Sequence, residues 1–217
     1  MSYLNKYLKY KNKYLELKKN LYGSAGENTI IFLLGGPGCG KGTVSQVAIN
    51  HGFAHISAGD LLRAEKDNPE SKNGQLILNI IKEGKIVPSI ITINLLKDKI
   101  IELNSKGQYK ILIDGFPRNM ENLELWNSTM DETYKLSFVL FLQCTDETLK
   151  QRVLKRSETS GRADDNPVTF EKRLKTYKED TMPVIEYYKA KNIVKEVNSN
   201  RTKEEVFADV EKIFEGQ

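Results

Sequence analysis

Ile30-Ile31-Phe32-Leu33-Leu34-Gly35-Gly36-Pro37-Gly38-Cys39-Gly40-Lys41-Gly42-Thr43 is the stretch from which the rest of the chain can be read. An apolar run of strand length gives way to a glycine-rich turn, and a helical pattern opens at Lys41. Glycines allow the backbone to wrap so that its N–H groups point inward at phosphate oxygens. The helix start adds partial positive charge, and the lysine reaches the β and γ phosphates of a nucleotide. The stretch departs from the general GxxxxGK[ST] pattern, because Gly42 follows the lysine and the hydroxyl arrives one residue later, at Thr43. A plain glycine turn is the competing reading, and the spaced glycines plus lysine after a strand argue against it. Cys39 inside the loop reads as a small residue that fits, with a redox-sensitive thiol as the sharper alternative.

Downstream, short apolar runs alternate with longer helical patterns. Strands are predicted at 30–34, 53–56, 110–114, 137–144 and 193–197, and helices begin near Lys41, Ser89, Asn119, Asp146, Thr169 and Thr202. This alternation implies an α/β fold with a parallel sheet covered by helices on both faces. Two segments break the rhythm, a helical insertion at 57–88 and a polar loop at 156–167, and such insertions are where binding sites are built.

With 39% hydrophobic and 29% charged residues, the 217-residue chain can bury a core. Two cysteines argue against a disulfide scaffold, and no apolar run near the phosphate loop could span a bilayer. The net charge of +4 lies entirely in residues 1–28, where six lysines face two glutamates; the remainder balances. Basicity is therefore local, and the body carries no nucleic-acid-binding face. Within that segment Tyr3, Tyr7, Tyr10, Tyr14, Leu17 and Leu21 form a helical stripe ahead of a linker at 23–26. An amphipathic helix on the body or a free appendage is the favoured reading. An oligomerising coil or a contact with anionic lipid are the alternatives, and targeting signals fit poorly.

Lysines number 26 and arginines seven, so each arginine raises a question of purpose. The guanidinium fork grips phosphate bidentately where lysine acts as a point charge. Arg63, Arg118, Arg156, Arg162 and Arg173 lie at strand ends, on loops or beside them, which suggests several phosphates held at once. Arg152 and Arg201 lack such a context. Asp114 closes a strand, the usual place for a carboxylate that organises magnesium through water, although a turn cap is an equal reading.

Taken together, GGPGCGKGT (35–43), SAGDLLR (57–63), GKIVP (84–88), LIDGFPRNMENLELW (112–126), SGRADDN (160–166) and KRLKTY (172–177) resemble the nucleoside monophosphate kinases, most closely the UMP-CMP kinase family. The resemblance runs from Ile30 to Phe214. It implies a P-loop NTPase-type three-layer fold with a five-stranded parallel sheet, a helical monophosphate-binding insertion (57–88) and a short lid (155–166), within a kinase domain of 29–217. It implies ATP as donor with Mg²⁺, and transfer to CMP, UMP or dCMP. Gly36, Pro37, Gly38, Cys39, Gly40, Lys41, Gly42 and Thr43 would surround the donor phosphates, with Arg156 and Arg201 beside the donor. Ser57, Gly59, Arg63, Lys85, Ile86, Val87, Gly115, Phe116, Arg118, Asn119, Asn122, Arg162 and Arg173 would hold the acceptor. Lys41, Arg118, Arg156, Arg162 and Arg173 would be catalytic, Asp114 would meet the metal through water, and Asp164 and Asp165 would pair with lid arginines.

Adenylate kinases typically carry glutamine and threonine where this chain has Asn122 and Ala58, and a carboxamide at 122 suits a pyrimidine edge. Asn122 as a mere helix cap is the alternative. Ser157 stands where a glycine usually starts the lid. The family also implies a cytoplasmic monomer, found in the nucleus as well, with no nucleic-acid partner and no integral membrane association. An AMP-directed adenylate kinase and a catalytically silent nucleotide-binding regulator are the rival readings.

Overall fold

The computed structural model describes residues 28–130, 134–162 and 164–215, so the N-terminal stripe and linker lie outside the described residues. The elements follow in chain order. β1 (Asn28–Gly35) leads through the glycine loop to α1 (Lys41–Asn50), then β2 (Ala54–Ser57). Next come α2 (Ala58–Asp67), α3 (Gly74–Lys82) and α4 (Ser89–Ser105), followed by β3 (Lys110–Asp114) and α5 (Met120–Met130). β4 (Tyr134–Gln143) is followed by α6 (Asp146–Ser160) and α7 (Pro167–Thr176). A single π turn, Tyr177–Thr181, leads into α8 (Met182–Ala190), β5 (Val194–Asn198) and α9 (Lys203–Glu215).

The five strands are parallel, in the order β2-β3-β1-β4-β5. The period-2 side-chain alternation of β1 divides the interior. Ile30, Phe32 and Leu34 face a core with α4, α5 and α8, while Ile31 and Leu33 face one with α1, α6, α7 and α9. Phe32 is fully buried against the rings of Phe116 and Trp126 at 5.8 and 5.2 Å between centroids. Truncating such a residue to alanine costs about 3–5 kcal/mol. A smaller cluster of Leu62, Ile77 and Val87 holds the 57–88 insertion together. β1 sits at the centre, and the chain leaves it toward β2 on one side and later crosses to β4 on the other. Its C-terminal end is thus a topological switch point, the place where open parallel sheets bind ligands.

Most element boundaries shift from expectation by one or two residues, and the two larger differences have identifiable reasons. β4 starts at Tyr134, three residues before the apolar run, because Asn28–Ile30 of β1 offers it parallel partners. The polar loop expected from Arg156 is helical as far as Ser160. α6 continues through Ser157, whose hydroxyl donates back to Leu154 O (2.6 Å), and ends at Gly161 with φ +61°. Position 157 is therefore helix interior rather than the start of a loop, and the left-handed turn falls four residues later, where glycine adopts it without a Cβ penalty.

Candidate active site

The glycine loop takes its shape from glycine at particular positions. Gly38 has φ +86°, and a Cβ there would lie 2.8 Å from Val153 Cγ2 and 2.9 Å from Leu149 O; one on Gly36 would lie 2.5 Å from Leu149 Cδ1. The loop thus rests directly on α6. Thr43 and Val44 N–H groups donate to Gly40 O, which starts α1. Lys41 Nζ donates to Gly35 O (2.8 Å) and Gly36 O (3.0 Å), so the ammonium is held over the loop it is expected to serve.

Arg118 is fixed at three points. Its Nε donates to Gly115 O (2.8 Å), its N–H to Asn122 Oδ1 (3.1 Å), and its carbonyl accepts from Thr181 Oγ1 (2.7 Å) in the π turn. Arg63 meets it over Gly59, where a Cβ would lie 3.2 Å from Arg63 Nη2 and 3.6 Å from Arg118 Nη2. Burial, then the neighbouring charge of Arg173, push the Arg118 guanidinium below its ordinary pKa, while Asp114 opposes the shift. Arg173 is shifted down by burial as well, with Asp164 opposing and Arg156 adding. Guanidinium groups crowded this closely disfavour their own charge, and phosphate is the anion whose geometry relieves the conflict.

The lid arginines are already engaged. Arg156 makes a bidentate contact with Asp165 (Nε 2.7 Å, Nη2 2.6 Å), and Arg173 Nη1 lies 2.9 Å from Asp164 Oδ2 and 3.3 Å from Asp165 Oδ1. Burial works to raise the Asp165 carboxyl, but the Arg156 and Ser160 hydrogen bonds and the nearby charges outweigh it and hold it low. Arg162 reaches across to Asp60 of α2 at 3.6 Å; that carboxylate also binds Arg63. Lid and insertion therefore meet over one carboxylate.

Two cavities open at the C-terminal ends of the strands. The larger, about 550 Å³, runs from Pro37, Gly38, Gly40, Lys41, Gly42 and Thr43 past Asp114, Arg156 and Arg162 to Ser57 and Arg63, with Arg201 and Phe207 at its other side. The smaller, about 110 Å³, is lined by Lys85, Ile86, Val87, Gly115, Thr176, Tyr177 and Thr181 among others. Lys41, Arg63, Arg118 and Arg173 line both, so they mark the seam between the two. Five of the expected site residues line neither cavity. Cys39 and Phe116 are wholly buried, Cys39 beneath the loop and Phe116 against Phe32 in the core, which leaves no exposed thiol at 39. Gly36 packs on α6. Asn119 Oδ1 caps α5 by accepting the Asn122 N–H (2.8 Å), and the buried Asn122 amide donates to Ser89 Oγ (2.7 Å). That amide braces the Arg118 loop, its Oδ1 accepting the Arg118 N–H while its NH2 group donates to Ser89. Sequence reading missed Arg152, His55, Asp60, Ser199 and Phe207, all of which line the larger cavity. Arg152 could have been suspected from arginine scarcity and Asp60 from its place in SAGDLLR (57–63); His55, Ser199 and Phe207 carry no sequence signal.

The resemblance implies magnesium, and the residues present suit a hydrated ion. Among the described residues no group of three or more His, Cys, Asp or Glu forms a protein cage. Asp114 instead offers one carboxylate to the cavity, with Thr43 on the same wall. Beside it, at 3.7 Å, His55 Nε2 is buried without a hydrogen-bond partner. One carboxylate plus water is how Mg²⁺ is commonly held next to phosphates.

An adenylate kinase family model matches residues 33–193. The chain belongs to the adenylate kinase family. Within the family it is similar to UMP-CMP kinase of Rattus norvegicus, 49% identical over 190 residues that cover 86% of this chain and 96% of the relative. The Homo sapiens UMP-CMP kinase is 47% identical over the same coverage, and that of Xenopus laevis 44%, covering 98% of the relative. Family membership accounts for the five-stranded parallel sheet and for the phosphate loop at its centre.

Proposed function

We propose that the protein transfers the γ-phosphoryl group of ATP to CMP or UMP, and to dCMP, giving ADP and the nucleoside diphosphate. The observation that carries this reading is the seam: Lys41, Arg63, Arg118 and Arg173 face both cavities, so two phosphate chains entering from opposite sides meet the same cations. The pyrimidine monophosphates come from the relatives, which are UMP-CMP kinases at 44–49% identity.

The acceptor phosphate oxygen is already an anion, so the reaction needs no general base. What the chain supplies is positioning and charge neutralisation along an in-line path. The loop N–H groups and Lys41 hold the donor phosphates. Arg63 and Arg118 hold the acceptor phosphate, and Arg156, Arg162 and Arg173 gather around the group in transit. Mg²⁺ bound with the donor supplies further charge neutralisation, and Asp114 with Thr43 would hold its water shell. The lid over Asp60 excludes water, the competing acceptor. In keeping with the family resemblance, we read the protein as a monomer of the cytoplasm and nucleus. Among the described residues no helix is long and apolar enough to cross a membrane.

A coupled assay of ADP formation with CMP, UMP, dCMP and AMP at equal concentration tests the proposal. Turnover is expected with the pyrimidine monophosphates well above that with AMP, and Lys41→Ala is expected to abolish it. A preference for AMP, or ADP formation that ignores every monophosphate, would overturn it.

A further inference from the structure

Arg152 reaches the larger cavity from α6, yet among the described residues no carboxylate pairs with it. Its guanidinium meets neutral groups instead: Nη1 donates to Ser199 Oγ (3.3 Å) and lies 3.8 Å from Cys144 Sγ, and Nη2 donates to Arg201 O (3.4 Å). Ser199 is the hub of this arrangement. It is 2% exposed, its N–H donates to Gln143 O (2.8 Å), and its hydroxyl donates to Cys39 O in the phosphate loop (2.7 Å). A hydroxyl has one proton to give and lone pairs to accept with. Here the proton goes to the phosphate loop and a lone pair takes the Arg152 N–H, so one small side chain ties together α6, the loop after β5 and the phosphate loop. In a trans peptide the C=O and N–H point in opposite directions, so anchoring Cys39 O also sets the direction of the Gly40 N–H.

We infer that Ser199 is a positioning residue for the donor nucleotide: its hydroxyl presets the Cys39–Gly40 peptide of the phosphate loop and holds the Arg152 guanidinium at the cavity wall. A nucleoside triphosphate then meets a loop and a cation already in place, which lowers the ordering cost of binding. Arg152 without a carboxylate partner keeps its charge available to the ligand, and neutral acceptors fix its direction without neutralising it. The inference rests on the donor half of the proposed function and not on the identity of the acceptor.

Ser199→Ala removes one oxygen and leaves the packing. Binding of a non-hydrolysable ATP analogue, read by titration calorimetry without any acceptor, is expected to weaken about tenfold, the loss typical of a hydrogen bond to a charged group. The KM for the monophosphate is expected to stay within about twofold, since its contacts share no partner with Ser199. In an Arg152→Ala background, Ser199→Ala is expected to weaken binding by less than it does in the wild type, because the part of its effect that runs through Arg152 is already gone while the part through Cys39 O remains. Undiminished analogue binding, losses that multiply in the double variant, or equal weakening of both substrates together with a lower Tm would each overturn the inference. A wild-type protein that binds the analogue yet phosphorylates neither CMP nor UMP would defeat the proposed function while leaving this test readable.

Discussion

Arg118 shows how much a single residue can carry here. Its backbone and side chain are held by Gly115, Asn122 and Thr181, so the guanidinium is placed before any ligand arrives. Preorganised cations at a transferring phosphoryl group are worth about 10³-fold in turnover. Arg118→Ala is accordingly expected to lower kcat by about that factor with unchanged circular dichroism; a rate near wild type would contradict the assignment. Asp165 plays the complementary part, as the carboxylate that orders lid arginines. Its pKa is held below the ordinary aspartate value of 3.8 by Arg156, Ser160 and nearby charge, overcoming its burial. A carboxyl depressed on folding stabilises fully above its unfolded pKa, and that contribution disappears as pH falls through the lower folded value. Thermal melts across the acid range are therefore expected to lose Tm more steeply below 3.8 in the wild type than in Asp165→Asn. Identical acid limbs would mean the lid pairing adds nothing to stability.

At the scale of elements, the phosphate loop and α6 act as one piece. Gly38 combines a left-handed φ with the Leu149 carbonyl and Val153 methyl close behind it, so an alanine there must both strain the backbone and push the loop off the helix. Gly107 has a similar φ, +78°, with nothing near its hypothetical Cβ. Gly107→Ala is expected to cost about 1–3 kcal/mol of stability from backbone strain alone. Gly38→Ala is expected to lose more, and to lose donor binding as well, read by analogue titration beside the melt. Equal behaviour of the two variants would show that the contact with α6 is immaterial. The elements themselves were largely legible. Short continuous apolar runs and glycine punctuation locate five strands, since strand burial on both faces leaves a mark in composition. Where the reading slipped, at Arg156–Ser160, the cause was polarity. A solvent-facing helix end and a polar loop have the same composition, and only continued backbone hydrogen bonding separates them.

Over the whole molecule, the described walls of both cavities run between Leu34 and Phe207, and residues 1–26 lie outside the described residues. Deleting them is expected to leave kcat and both KM values within about twofold of the full chain, as for termini that take no part in a site. A large drop in turnover would assign that segment a part in catalysis. The sequence by itself determined the α/β class, the phosphate loop at the end of β1, and the family through its ordered motifs, because each of these depends on local chemistry. A glycine must stand where the chain turns left-handed, and an apolar run must stand where both faces are covered. Only the tertiary structure decided which side chains share a wall. It brought Arg152 and Ser199 to the wall of the larger cavity across a separation of 47 residues and set His55 beside Asp114. It also turned Phe116 and Asn122 inward, away from both cavities. Such proximity arises where parallel strands bring distant segments to one edge of the sheet, and no spacing along the chain records it.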